Sequence, residues 1–372
     1  MKLNEKYFSK EIIEKRIDGI YKKSADEILK ISPYRVEIQP TTFCNRMCSF
    51  CSHSVRNKTG NELQEERVTS IVDQLADMSC GHVSFSGGGE PFEWRTGDLC
   101  QVIRYTAERM DVTLTTNGDS FWDDNQNMPQ NLELAKYCSN IIINTPDVDT
   151  DRYKNIVKGK CSWEKTEKIL KAFLEHIRQN QYICDICCVV VVSKLNFRYL
   201  DEIDKKMQEI GVNRIYYKML KAFENNDVEE LSVAAEELVK IRKNCSKNRS
   251  IWLKNFLKSI DRIENYYCEK CWTNMMGMNA IIDPNGNVFI CTPTVGIQKY
   301  ILGNVNDKQF KDLWESSKRM DLINLLNRVH NKKMCPKECR MNSHNALIED
   351  YLFNQNKNVC VVMNAGVDDV IK

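Results

Sequence analysis

Cys44-Asn45-Arg46-Met47-Cys48-Ser49-Phe50-Cys51 sets three thiols in one short loop, and the stretch just before it, Tyr34-Arg-Val-Glu-Ile-Gln39, alternates as a strand does. Thiolates this closely spaced ligate iron–sulfur clusters or zinc. Three of them can hold a four-iron cluster and leave one iron without a protein ligand. A closed zinc site wants a fourth ligand, and only His53 stands close by in the sequence. The loop also falls just past the C-terminal end of a strand, where α/β barrels carry their active sites.

Working downstream, His82-Val-Ser-Phe-Ser86 is a second short strand running into Gly87-Gly88-Gly89-Glu90-Pro91. Successive glycines let backbone come close to a ligand, and Glu90 supplies a negative charge; alone, the segment reads equally well as a turn between strand and helix. A third strand over residues 112–116 ends in Asn117-Gly118, and a fourth over 140–143 ends in Asn144-Thr145-Pro146. The fifth, Cys187-Cys-Val-Val-Val-Val192, is continuously apolar, as a strand buried on both faces must be. It leads into Ser193-Lys-Leu-Asn196, and a sixth strand covers 214–219. Helical patterns separate successive strands, for example over 163–178 and 199–210.

The C-x3-C-x2-C spacing with Phe50 before the last cysteine, followed by Gly88-Gly89-Glu90, resembles the cluster loop and GGE motif of the radical SAM superfamily. The resemblance implies a partial (β/α)6 barrel and a [4Fe–4S] cluster with an open iron on Cys44, Cys48 and Cys51. It implies S-adenosylmethionine bound at that iron, its amino group held by Gly88, Gly89 and Glu90. Further cofactor contacts carried over by position are Phe50, Asn144 and Thr145, the last two standing in for a ribose contact, and Ser193 and Asn196 toward carboxylate and ribose. The chemistry so implied is reductive cleavage to a 5′-deoxyadenosyl radical and hydrogen abstraction from an unactivated C–H bond.

A chain of 372 residues is long enough for one ordinary domain and a smaller one. A net charge of +2 points to neither nucleic acid nor an anionic membrane, and no apolar run reaches the length of a membrane span or a signal peptide's core. Seventeen cysteines without a secretion signal argue for a reducing, cytoplasmic setting and for metal ligation. Cys80, Cys100, Cys138, Cys161, Cys184, Cys187, Cys188 and Cys245 are scattered over helices and strands and read as small buried hydrophobes.

After a polar break at 224–230 the sequence turns helical and charge-laced, and then a second cysteine group begins: Cys268, Cys271, Cys291, Cys335, Cys339 and finally Cys360. Pro284-Asn285-Gly286 marks a hairpin between two apolar runs, with Gly286 suited to positive φ. This group resembles the SPASM and Twitch extensions of radical SAM enzymes. No second C-x2-C pair precedes Cys335, so one auxiliary [4Fe–4S] cluster is expected, on Cys271, Cys291 and Cys339 with either Cys268 or Cys335. A zinc ribbon of Cys268, Cys271, Cys335 and Cys339 is the alternative from spacing. Cys360 reads as a free thiol, a ligand or a catalytic residue. The expected organisation is an N-terminal helical extension over 1–33, a partial barrel over 34–222, a helical connector over 223–266 and a small α+β cluster domain over 267–372.

Enzymes with such extensions act on ribosomally made precursor peptides, by crosslinking, epimerisation or oxidation, or on sugars and aminocyclitols, and draw electrons from a flavodoxin or ferredoxin. The expected substrate is a peptide, with a small sugar-like molecule as the alternative. Tyr216, Tyr217 and Lys218 are candidates for the substrate side or ordinary strand alternation. A non-catalytic iron–sulfur carrier or sensor is a third class, and the intact Gly88-Gly89-Glu90 speaks against it.

Overall fold

The computed structural model describes residue 16 and residues 23–51, 59–121, 131–159, 161–220, 231–243, 248–263 and 270–331, with residues 335, 339, 341, 344–345 and 348–349. Cys245, Cys268, Cys360, His53 and most of the N-terminal extension lie outside these residues.

Six parallel strands form the centre: β1 (Arg35–Ile38), β2 (His82–Phe85), β3 (Asp111–Thr116), β4 (Asn140–Asn144), β5 (Asp185–Val192) and β6 (Arg214–Met219). They are joined in sequence order, each to the next, and among the described residues they do not close into a ring. Their period-2 alternation sorts two faces. Val36, Ile38, Val83, Phe85, Val112, Leu114, Ile141 and Ile143 enter the main core beneath the helices, while Ile142, Cys187 and Val189 form a separate apolar patch on the other face with Tyr216 and Val191. The same inner face carries Arg35, Glu37, Gln39 and Ser84, all buried.

The outer layer is helical. α1 (Ala25–Leu29) opens with a capping box between Ser24 and Glu27, which satisfies two N-terminal amides. α2 (Glu65–Asp77) and α3 (Leu99–Ala107) follow β1 and β2; α4 (Thr150–Val157), α5 (Trp163–Asn180) and α6 (Leu200–Ile210) follow β4 and β5. α6 buries Leu200, Ile203 and Met207 and stops at Gly211, whose φ of +85° ends the helix. α7 (Ala235–Lys243) packs on α8 (Ile251–Ile263), and α8 packs on β6. Asp204 of α6 fixes that packing, accepting from the Tyr217 hydroxyl, the Ser250 amide and the Ser250 hydroxyl.

The short helix α9 (Trp272–Met275) leads to β7 (Asn279–Ile282), β8 (Asn287–Phe289) and β9 (Gly303–Asn304). The hairpin expected at Pro284-Asn285-Gly286 is present, and Gly286 has φ +83°. Its placement was not legible in the sequence. β7 lies parallel to β1, Arg35 against Asn279 through Ile38 against Ile282, so one nine-stranded sheet runs β6-β5-β4-β3-β2-β1-β7-β8-β9. α10 (Phe310–Trp314) and α11 (Ser317–Asn331) follow. Trp314 donates to the Ile31 carbonyl and Arg319 to Ile28 and Ile31, closing the chain's late helices onto the segment before β1.

Candidate active site

Three segments meet at the C-terminal ends of β1, β2 and β3. The first is the loop of Cys44, Cys48 and Cys51. Its backbone is pinned to the end of α4, with Met47 N donating to Val157 O (3.2 Å) and Ser49 N to Ile156 O (2.9 Å). Phe50 is buried against Ile156 and Leu220. Arg46 reaches under the loop to the β3 end, and Asn45 accepts from Asn117 Nδ2 at 2.6 Å.

The second segment is the glycine turn, and its glycines answer to the protein backbone itself. A Cβ on Gly88, which has φ +67°, would stand 2.6 Å from the Thr41 carbonyl oxygen and 2.9 Å from Pro284 Cγ. On Gly89 it would stand 2.0 Å from the Phe43 carbonyl oxygen. Any side chain there would push the turn off the cysteine loop. The contact is completed by Glu90 N donating to Phe43 O at 2.7 Å.

The third segment is the β3 end. Thr116 Oγ1 donates to Glu90 Oε1 at 2.6 Å and Asn117 N to Oε2 at 2.7 Å. Burial pushes the Glu90 carboxyl up to about 7, against these hydrogen bonds and the Arg46 charge, which favour ionisation. Glu90 is thus a carboxyl that a cationic group beside it would hold ionised. The Cys44 and Cys48 thiols are pushed up by burial to about 11 and about 12; Cys48 also feels both other cysteines of the loop, and Cys44 feels Glu90 and Cys51. Three neighbouring thiolates in a buried setting require a compensating cationic centre.

The remaining predicted contacts divide. Asn144 stands at the end of β4 with its Oδ1 buried and unpartnered among the described residues, as are Gln39 Oε1 and Ser84 Oγ on the inner face. Thr145 is fully buried and donates to Ile143 O. Ser193 and Asn196 build the turn after β5: Asn196 accepts from Ser193 N and donates to Pro146 O and Val191 O. A glycine cradle, three mutually interacting thiols and orphaned acceptors on the inner face suit a cluster and a polar cofactor bearing an amine.

The C-terminal cysteines gather separately. Cys271, Cys335 and Cys339 are within electrostatic reach of one another, burial being the main cause that raises the Cys271 and Cys335 thiols, the latter to about 12. Cys271 Sγ also meets Thr273 Oγ1 at 3.5 Å and accepts from Asn345 Nδ2 at 3.6 Å, while its amide donates to Asn327. Polar donors to a thiolate sulfur are a common means of tuning a metal ligand. Cys291 follows β8 at the start of the Thr292–Thr294 turn. No three His, Cys, Asp or Glu side chains among the described residues converge as they would around a single ion. Sequence reasoning missed Arg46, Asp119, Asn327 and Asn345; only Arg46, inside the motif, carried a local signal.

A half-open parallel barrel with a three-thiol loop locked onto a glycine turn defines an iron–sulfur enzyme of the class that uses S-adenosylmethionine. The chain matches the Radical SAM superfamily over residues 38–192 and the SPASM iron–sulfur cluster-binding domain over residues 268–341. It thus carries a radical SAM domain followed by a SPASM region. It is 24% identical, over a 346-residue alignment covering 83% of this chain and 89% of the relative, to a cysteine-type anaerobic sulfatase-maturating enzyme of Clostridium perfringens. Its fold is shared with anSMEcpe solved with bound AdoMet (TM-score 0.56, 18% identity, 87% of this chain and 93% of that one). It is shared too with Streptococcus suis SuiB bound to precursor peptide SuiA (TM-score 0.59, 17% identity, 89% of this chain and 76% of that one). No described helix is long and apolar enough to cross a membrane.

Proposed function

We propose that this enzyme modifies a ribosomally made peptide or protein by hydrogen abstraction at a side chain or backbone C–H bond. The observation that carries the reading is the locked assembly of cysteine loop, glycine turn and β3 end at an unclosed barrel mouth. The relatives support the peptide: one is named for sulfatase maturation, and anSMEcpe and SuiB were solved with peptides bound.

When bound, the cluster on Cys44, Cys48 and Cys51 and S-adenosylmethionine supply one-electron cleavage and a hydrogen-abstracting radical. Gly88 and Gly89 present backbone, and Glu90 offers its carboxylate to the amine of that cofactor. Phe50 and Asn144 flank the mouth, Asn144 Oδ1 as a free acceptor; Thr145, Ser193 and Asn196 hold the loops after β4 and β5 in shape. Cys271, Cys291 and Cys339, with either Cys335 or Cys268, would hold one auxiliary cluster, which would supply an electron acceptor for the oxidised substrate. A small acidic electron carrier such as flavodoxin or ferredoxin supplies reduction.

The test is iron and sulfide content of anaerobically reconstituted protein, then 5′-deoxyadenosine formation with dithionite in the presence of a cysteine-containing peptide or an aminocyclitol. Stimulation by the peptide alone is expected; stimulation by the aminocyclitol alone overturns the peptide assignment. Cys48→Ala should abolish cofactor cleavage. Cys291→Ala should spare it while stopping oxidation of substrate.

A further inference from the structure

Arg46 stands in the middle of the cysteine motif, and its guanidinium is buried with an uneven set of partners. Nε donates to Asp119 Oδ2 at 2.8 Å and Nη2 to Asp119 Oδ1 at 2.5 Å, a two-pronged ion pair. Nη2 also meets the Asn117 carbonyl at 2.8 Å and the Tyr153 hydroxyl at 3.0 Å. The Tyr153 ring lies 5.5 Å from the guanidinium carbon. Nη1, by contrast, is buried and has no hydrogen-bond partner among the described residues. A guanidinium keeps its charge and carries two N–H bonds on that nitrogen; leaving them dry in a low-dielectric setting is costly unless a further acceptor belongs there.

The clamp also fixes where the charge sits. Asp119 and Asn117 lie at the β3 end, Tyr153 on α4, and both elements already hold the cysteine loop through Asn45 and through Met47 and Ser49. Asn117 ties the guanidinium to the site: its carbonyl accepts from Arg46 Nη2, its amide donates to Glu90, and its side chain holds Asn45 of the cysteine loop, so the charge sits between the loop and the Glu90 carboxylate.

We propose that Arg46 is a positioning residue for the barrel cluster, its fixed charge and free Nη1 edge set toward the cluster's sulfur atoms and stabilising the reduced state. The inference rests on the cluster assignment above and goes beyond it by naming what sets the cluster's readiness to accept an electron. Reduction adds one electron, delivered by the external reductant, and the more negative cluster is favoured by a nearby cation and by N–H donors to sulfur. Asp119 opposes this by partial neutralisation, so the pair acts as a set point. Lysine would keep the charge but lose the fork that three partners hold in place.

The experiment is an electron paramagnetic resonance redox titration of the full-length, anaerobically reconstituted protein, reading the signal that changes on adding S-adenosylmethionine. Arg46→Gln should shift its midpoint to more negative potential with iron content retained; a tenfold change in the reduction equilibrium is about 59 mV for a one-electron couple. Arg46→Lys should fall between wild type and Arg46→Gln. Asp119→Asn, which leaves the cation uncompensated, should shift it the opposite way. Unmoved midpoints in Arg46→Gln and Asp119→Asn overturn the proposal. If Arg46→Gln folds by circular dichroism but loses iron, Asp119→Asn decides: an upward shift supports the role, and no shift or equal iron loss reduces Arg46 to a clamp. A wild-type protein with no signal responsive to S-adenosylmethionine would remove the cluster assignment itself, a result distinct from unmoved midpoints.

Discussion

A methyl group on Gly89 would stand 2.0 Å from the Phe43 carbonyl oxygen, with backbone on both sides and no flexible side chain to yield. Gly89→Ala is therefore expected to destabilise the protein by at least about 3 kcal/mol, beyond ordinary overpacking, and to lower iron incorporation; thermal unfolding with iron analysis checks it. Glu90→Gln keeps the shape and removes the charge. It should retain iron and weaken S-adenosylmethionine binding roughly 10- to 100-fold, the worth of one hydrogen bond to a charged group, read by equilibrium dialysis. The cysteines and the glycine motif were legible because their chemistry demands fixed residue types at fixed spacing. The glycines' reason was not: Gly88 and Gly89 are required by the approach of Thr41 and Phe43, which only the assembled loops reveal. Asn345 gave no signal, since a lone asparagine donating to the Cys271 sulfur looks like any surface amide until the fold brings it 74 positions back along the chain.

At the scale of elements, the barrel strands were read to within about two residues at each end, because alternation and the apolar run of β5 are local properties. The partner of β1 was invisible for the opposite reason: pairing across 244 positions leaves no periodicity behind. The turn between β7 and β8 makes that pairing matter to the site. Asp283 accepts from the amides of Asn285 and Asn287 and from the Asn287 side chain, and the turn so shaped sets Pro284 against Gly88. Asp283→Ala is expected to cost about 1–3 kcal/mol of stability, as for a buried acceptor lost from its donors. It should also weaken S-adenosylmethionine binding while leaving the iron on Cys44, Cys48 and Cys51. Urea unfolding beside binding calorimetry measures both; unchanged affinity would mean that the turn does not support the cradle.

For the whole molecule, the buried inner face sets the response to acid. His82 begins β2 beside Arg35, and burial first, then the Arg35 charge, hold its pKa well below the ordinary histidine range. The unfolded chain takes up that proton near pH 6.5 and the native one does not. Stability is then present above about 6.5 and falls as pH drops below it, by up to about 1.4 kcal/mol per pH unit from this group. His82→Gln should flatten that part of the profile, measured as the difference in urea midpoint between pH 7 and pH 5 for variant and wild type. Equal slopes in the two proteins would assign the acid sensitivity elsewhere.

The 244 positions between Arg35 and Asn279 are also a span of time. At roughly 5–20 residues per second a ribosome takes about 12–50 s to deliver β7 after β1 has emerged. Through that interval β1 offers one bare row of amides and carbonyls, the kind of edge to which foreign strands add. Fast, crowded synthesis should therefore drive this chain into aggregates, and slower synthesis at lower temperature, or a holdase covering the nascent edge, should raise the soluble yield without altering the finished protein.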